Sequence, residues 1–328
     1  MKRSSHRAGL AAFAGAALAA LALVPSRAAS AQAVVLDVTA NFGDNKTRLL
    51  SRTAGGAATI RVLDAGGIVE SSVTYGPFAG WTARSIAPSA NNESRLLWSH
   101  TDGRVSLWIL TPNGQIDVAR SKEEGPFPNA VGQPLRAIDL AEAANRRWCL
   151  LLTDNTGVAE VIVKDENVQT GGNVNLRTYG PYAGWTPVAV AASPDQTFRL
   201  LWRNANGRAS LWRLDNFGNP TGPGSTIEGN EFGPFAGWSP IDVSVGGDGN
   251  SRLLWANTNG AASVWVVSPL GAFLTGREYG PYAGWAPRTL STGSDSQSRL
   301  LWNHTDTRGS LWNLDPVAQF LAGYEYLP

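Results

Sequence analysis

Four short segments of the 328-residue chain carry the same mixture of aromatic and hydrogen-bonding side chains. Each runs from an aromatic residue through Gly-Pro to a second aromatic and a tryptophan: Tyr75–Trp81, Tyr179–Trp185, Phe232–Trp238 and Tyr279–Trp285. A tight hairpin follows each one, bearing His100 and Asp102, Asn204 and Asn206, Asn257 and Asn259, or His304 and Asp306. Aromatic faces beside imidazoles, amides and carboxylates suit a sugar, whose C–H groups lie on a ring while its hydroxyls take directional hydrogen bonds. The candidate ligand-binding residues are therefore Tyr75, Phe78, Trp81, His100 and Asp102; Tyr179, Tyr182, Trp185 and Asn204; Phe235, Trp238 and Asn257; and Tyr282, Trp285, His304 and Asp306.

Catalysis has much less to work with. Cys149 is the only cysteine and His6, His100 and His304 are the only histidines, too few for a zinc site. Cys149 stands where related segments carry arginine, so it reads as a core substitution. Asp139 and Asp242 recur at one offset, with Asp37 in register, and could face a common channel. A calcium ion would want six or more oxygens, and no Asp-rich loop supplies them. No cofactor, resident metal or catalytic residue is expected, and a channel-centred hydrolase is a distant third reading.

The elements that must position these side chains follow from a repeat. In Trp81–Leu110, Trp185–Leu214 and two further copies opening at Trp238 and Trp285, an arginine follows the first tryptophan by fourteen residues: Arg95, Arg199, Arg252 and Arg299. The same offset from Arg48 points back to Val34, and a degenerate copy begins at Leu135. Six units result, 34–80, 81–134, 135–184, 185–237, 238–284 and 285–328, averaging about 49 residues. Units one and three have lost the signature tryptophans, so about four competent sites are expected.

Each unit reads as four strands. An apolar first strand ends in a turn carrying Asp44, Asn91, Asn145, Asp195, Asp248 or Asp295, residue types suited to Asx-turns. Arg-Leu-Leu-Trp and Ser-Leu-Trp strands flank an Asp-Gly or Asn-Gly hairpin signal. A more polar fourth strand closes the unit. Six such units predict an all-β, six-bladed β-propeller with four antiparallel strands per blade. Most strand tryptophans are then inter-blade packing, and the repeated arginines pair with the turn Asp or Asn or with a neighbouring carbonyl.

Pro187–Leu214, with its Ser193-Pro194-Asp195 turn, hairpin and Ser-Leu-Trp strand, resembles the WD40 pattern, although the final Trp-Asp is absent. Tryptophan-rich repeats in an exported chain are also similar to tectonin-type and fucose-lectin propellers. The WD40 resemblance implies that the first strand is innermost and that each blade is contiguous. A permuted ring, with Val34–Ala40 closing the last blade, is the alternative.

Lys2, Arg3 and Arg7 precede an Ala/Leu-rich run from Gly9 to Val24, and small residues follow near Ala31. This layout predicts a signal peptide over 1–33, the run being shorter than the ~20 residues of a membrane span. Losing four basic residues there turns the formal charge of +1 into −3, which disfavours nucleic acid. The expected mature protein is a secreted or periplasmic monomer that is not inserted in the membrane. It is non-enzymatic and recognises glycans at repeated sites on one face; the alternative is an extracellular protein-interaction scaffold. Asn45-Lys46-Thr47, Asn92-Glu93-Ser94 and Asn303-His304-Thr305 match the glycosylation sequon, which matters only in a host that glycosylates.

Overall fold

Alternation along the Arg-Leu-Leu-Trp strands sends successive apolar side chains to opposite faces, and both faces are buried. Leu200 packs among residues of blades 3 and 4, while the next residue, Leu201, packs among those of blades 4 and 5. Only a sheet sandwiched between two others buries both. A computed structural model describes residues 33–40, 43–143, 145–166, 175–222 and 228–326. Residues 1–32 of the expected signal peptide lie outside the described residues.

The chain forms a six-bladed β-propeller, each blade a four-stranded antiparallel sheet in sequence order. Blade 1 comprises β1 (Ala33–Ala40), β2 (Thr47–Thr53), β3 (Ala58–Leu63) and β4 (Val69–Tyr75). Blade 2 comprises β5 (Trp81–Pro88), β6 (Ser94–His100), β7 (Val105–Leu110) and β8 (Ile116–Glu124). Blade 3 comprises β9 (Arg136–Glu142), β10 (Arg147–Thr153), β11 (Ala159–Asp165) and β12 (Asn175–Tyr179). Blade 4 comprises β13 (Trp185–Ala192), β14 (Phe198–Asn204), β15 (Ala209–Leu214) and β16 (Glu228–Phe232). Blade 5 comprises β17 (Trp238–Val245), β18 (Ser251–Asn257), β19 (Ala262–Val267) and β20 (Phe273–Tyr279). Blade 6 comprises β21 (Trp285–Thr292), β22 (Ser298–His304), β23 (Gly309–Leu314) and β24 (Phe320–Tyr326).

The first strands are innermost and pack side by side around the axis. Each carries a β-bulge, between Val35 and Asp37 in β1 and between Pro187 and Ala189 in β13, for example. Such bulges increase local twist. The ring closes by contact between β1 and β21, with β1 paired only to β2 and no strand exchanged.

Side chains also fasten the seams. The Tyr75 hydroxyl of blade 1 donates to Gly114 O of blade 2 at 2.9 Å and accepts from Ile116 N at 2.9 Å. Tyr179 and Tyr279 donate likewise to Gly218 O and Ala318 O in the next blades. Tyr326 donates to Gly67 O at 3.0 Å and so joins blade 6 to blade 1. Of the repeated arginines, Arg48, Arg252 and Arg299 each grip the turn aspartate four residues earlier. Arg95 instead pairs with Glu142 and Glu166 of blade 3, whose carboxylates lie nearer than its own turn, and Arg199 donates to Thr197 Oγ1 and Phe198 O. Cys149 is fully buried, and desolvation pushes its thiol above the usual range.

Three aspartates line a small axial cavity of about 70 Å³. They come from alternate blades: Asp37, Asp139 and Asp242, with Ser85, Ala189 and Thr289 at the corresponding positions between them. Each carboxylate accepts the backbone N–H of Ile86, Val190 or Leu290 in the following blade, at 2.7–2.8 Å. Burial, then repulsion from Asp242, raises Asp37 to about 7. Burial raises Asp242 to about 6 against the hydrogen bonds it accepts. Among the described residues, no three His, Cys, Asp or Glu side chains converge as a metal site.

Candidate functional site

The segments between blades and the β-hairpin tips emerge on one face and are bonded to each other. Ala205 N donates to Gly184 O at 3.0 Å, and Thr101, Thr258 and Thr305 donate likewise to Gly80, Gly237 and Gly284. This contact brings together four local sets: Phe78, Trp81, His100 and Asp102; Tyr182, Trp185 and Asn204; Phe235, Trp238 and Asn257; and Tyr282, Trp285, His304 and Asp306. Each set belongs to its own blade, so the two histidines do not share a site.

The aromatic residues of the crossovers divide into two kinds. Tyr75 is buried, with its hydroxyl committed to the next blade, and Tyr179 is half-buried in the same role. Neither offers a free ring to a ligand. The second ring of each crossover instead lies edge-on over a pair of strand tryptophans. Tyr182 is 5.4 Å from Trp202 and 5.8 Å from Trp212, and it is 40% exposed. Phe78, Phe235 and Tyr282 make the equivalent contacts in blades 2, 5 and 6. These edge-to-face arrangements suit the aromatic quadrupole.

In blade 4 the rings border an open cleft of about 360 Å³ on the side that faces blade 3. Tyr182, Trp185, Trp202 and Trp212 form its apolar walls, and Ser210 and Glu231 line it from β15 and β16. Strand register places Ser210 opposite Glu231 and Trp212 opposite Gly229. A Cβ on Gly229 would lie 2.0 Å from Leu211 O, so only glycine allows the two strands to approach here. Ser210 Oγ accepts the Trp212 indole N–H at 3.0 Å, which sets the ring's orientation. Carboxylate, hydroxyl and indole faces then converge on one space.

Blades 2, 5 and 6 repeat this frame. Ser106, Ser263 and Ser310 each hold a tryptophan indole, and they pair across the strands with Glu123, Glu278 and Glu325. In blades 2 and 6, however, an arginine covers the first tryptophan. Arg104 lies 5.5 Å above Trp81 and is held by Asp102 at 2.8 Å and Glu123 at 2.6 Å. Arg308 lies 5.5 Å above Trp285, with Asp306 and Glu325 each at 2.9 Å. His100 and His304 complete these networks: each Nδ1 is 2.6 Å from the hairpin aspartate, and each ring lies 4.8 Å from its tryptophan. Partial desolvation of Asp102 is outweighed by its bonds from Arg104 and His100, which hold it down to about 2. Blade 4 has Asn206 in place of the aspartate, and Arg208 reaches Glu231 only at 3.8 Å. Blade 5 has Ala261 in place of the arginine.

Sequence reading missed the glutamates, serines and arginines of these clefts. A signal was present: Glu123, Glu231 and Glu278 stand two residues before Gly-Pro, and Ser106, Ser210, Ser263 and Ser310 two before tryptophan. Blades 1 and 3 have Thr74 and Thr178 at the glutamate position.

No family model and no curated protein sequence matches this chain. Its fold is similar to solved structures at low identity. The SapL1 lectin in complex with alpha-methyl fucoside matches with TM-score 0.62 at 11% identity, over 92% of this chain and 99% of that one. The fucose-recognising, six-bladed lectin of Aleuria aurantia matches with TM-score 0.60 at 10% identity, over 90% and 95%. Raptor of Chaetomium thermophilum matches at 0.55 and 13% identity over 89% of this chain, which spans 25% of that protein. At these identities the likeness is one of fold.

Proposed function

We propose that the protein is a secreted, non-enzymatic lectin that binds glycans at repeated clefts, one beside each tryptophan-bearing blade. The blade 4 cleft carries this reading. It combines four aromatic rings with Ser210 and Glu231 in a space of about 360 Å³, at the low end of the ~300–1,000 Å³ usual for small-ligand pockets. A sugar ring would lay its C–H face on Trp185 or Trp212 and give its hydroxyls to Glu231 and Ser210. The fold shared with lectins named for fucose makes fucosides the first ligands to test. Shallow sites repeated around one ring gain avidity on a multivalent surface that no single site has.

No helix among the described residues is long and apolar enough to cross a membrane. Export rests on the amino-terminal pattern. Glycan-array screening followed by calorimetry with the best monosaccharide tests the proposal. Millimolar binding at more than one site is the expected result, and a flat calorimetric response to every arrayed sugar class would refute it. A protein scaffold would instead retain one macromolecular partner and ignore sugars.

A further inference from the structure

The outer rim of blades 5, 6 and 1 is apolar and uncovered. Ile68 and Leu270 project from β3–β4-type turns at 67% and 63% exposure. Phe273 and Leu274 begin β20, and Phe320 and Leu321 begin β24, each about half exposed. Val69 and Val317 flank them. The antiparallel order of the strands places these residues toward the face opposite the hairpins and crossovers, with Phe273 and Phe320 packed edge-on 5.0 Å from Trp265 and Trp312 of the cleft frame. Adjacent rims are linked: the Tyr324 ring lies against Gly67 beside Ile68, and Tyr279 of blade 5 bonds to Ala318 of blade 6.

Both β20 and β24 are outermost strands with one unpaired edge. Natural proteins usually protect such edges with charge, proline or a bulge. Blade 2 does so with charge, since β8 carries Asp117, Arg120 and Lys122, whereas β20 and β24 have only a register shift, at Leu274 and Leu321. The first halves of β20 and β24 carry no charged residue.

We infer that this rim is a self-association surface and that the protein, expected from its sequence to be a monomer, forms a closed dimer through it. At roughly half exposure and ~150–250 Å² for a full large side chain, six residues offer on the order of 600 Å² of apolar area. That is at the upper limit of what a monomer usually leaves open, ~300–600 Å². It is also most of the ~800 Å² that each partner contributes to a standard interface. The band occurs on three consecutive blades, with Phe217 in the matching turn of blade 4; apart from the crossover rings, the other exposed large apolar residues among the described ones are Val34, Val131 and Leu176. One patch per chain meeting its own copy about a twofold axis closes at two subunits. A lipid surface is disfavoured by charge: the segments 64–70, 268–275 and 315–322 contain Asp64, Glu70 and Asp315 but no lysine or arginine. Such a dimer leaves the hairpin and crossover face of each subunit free, and it stands whether or not the clefts bind sugar.

Sedimentation equilibrium of the mature chain between about 1 and 100 μM tests the inference. Twice the chain mass is expected, falling to one chain mass in the double variant Leu274→Lys/Leu321→Lys, with an unchanged melting temperature. Leu176→Lys, on β12 outside the band, should leave the dimer intact. A monomer across the whole range would overturn the proposal, as would a dimer that survives the double substitution. Flotation of the wild type with anionic phosphatidylserine vesicles, lost in the double variant, would reassign the rim to lipid.

Discussion

The clefts of blades 4 and 6 are built from equivalent strands, an equivalent pair of tryptophans tilted against each other and an equivalent Ser–Glu cross-strand pair. They differ at the hairpin tip. Asp306 draws Arg308 across Trp285, whereas Asn206 lacks the second anionic oxygen and leaves Arg208 44% exposed, 3.8 Å from Glu231. His304 and Asp306 stand where blade 4 has Asn204 and Asn206, and with that exchange a cation instead of solvent covers the tryptophan face. Repeats of one frame need not be equivalent sites.

The comparison holds only if the frame beneath both clefts is rigid, and its removal has the largest expected effect. Trp202 is 1% exposed, so Trp202→Ala should cost ~3–5 kcal/mol in denaturant unfolding. A much smaller loss would mean that the cleft floor is not part of the core.

Titration distinguishes the rim carboxylates from those of the axis. Asp37 and Asp242 are raised to about 7 and 6, while an unfolded aspartate titrates near 3.8. The folded protein therefore holds the extra protons, and their stabilising contribution is complete below pH 4 and lost as the pH rises through 6 to 7. Stability should fall between pH 4.5 and 8 by several kcal/mol. Asp242→Asn should flatten part of that slope. Asp102, depressed to about 2, acts in the opposite sense, losing its contribution as pH falls toward 2. A stability curve that rises toward pH 8 would contradict the assignment at the axis.

At the blade 4 cleft itself, Trp185→Ala should weaken sugar binding about tenfold or more, the scale of losing ~1.4 kcal/mol of contact. Its melting temperature should change little, because the ring is only half-buried. Titration calorimetry and thermal melts of one preparation give both readings. The smallest effect is also the most specific. Asn206→Asp should recruit Arg208 over Trp185 and lower affinity about two- to fivefold, as befits one exposed ion pair. The change should shrink in high salt. Asp102→Asn should do the reverse in blade 2, raising the affinity of that cleft by about the same factor.

Repetition made the architecture readable. The period of about 49 residues, the Arg-Leu-Leu-Trp strands and the Asx turns specify sheets buried on both faces, and six of them close a ring. Local hydrogen bonding by Asx and hairpin turns, and burial by alternation, are short-range physics, so sequence carries them directly. Which aromatic residue faced solvent was not readable. Tyr75 and Tyr182 share a crossover motif, yet one is an inter-blade bond and the other a cleft wall. The contact of each depends on residues about forty and twenty positions away and on the curvature that brings blades together. The arginine that covers Trp285 and leaves Trp185 open, and the meeting of three aspartates from alternate blades on one axis, were likewise set only in three dimensions. Electrostatic and packing partners across a seam are chosen by the closed ring, which no single repeat contains.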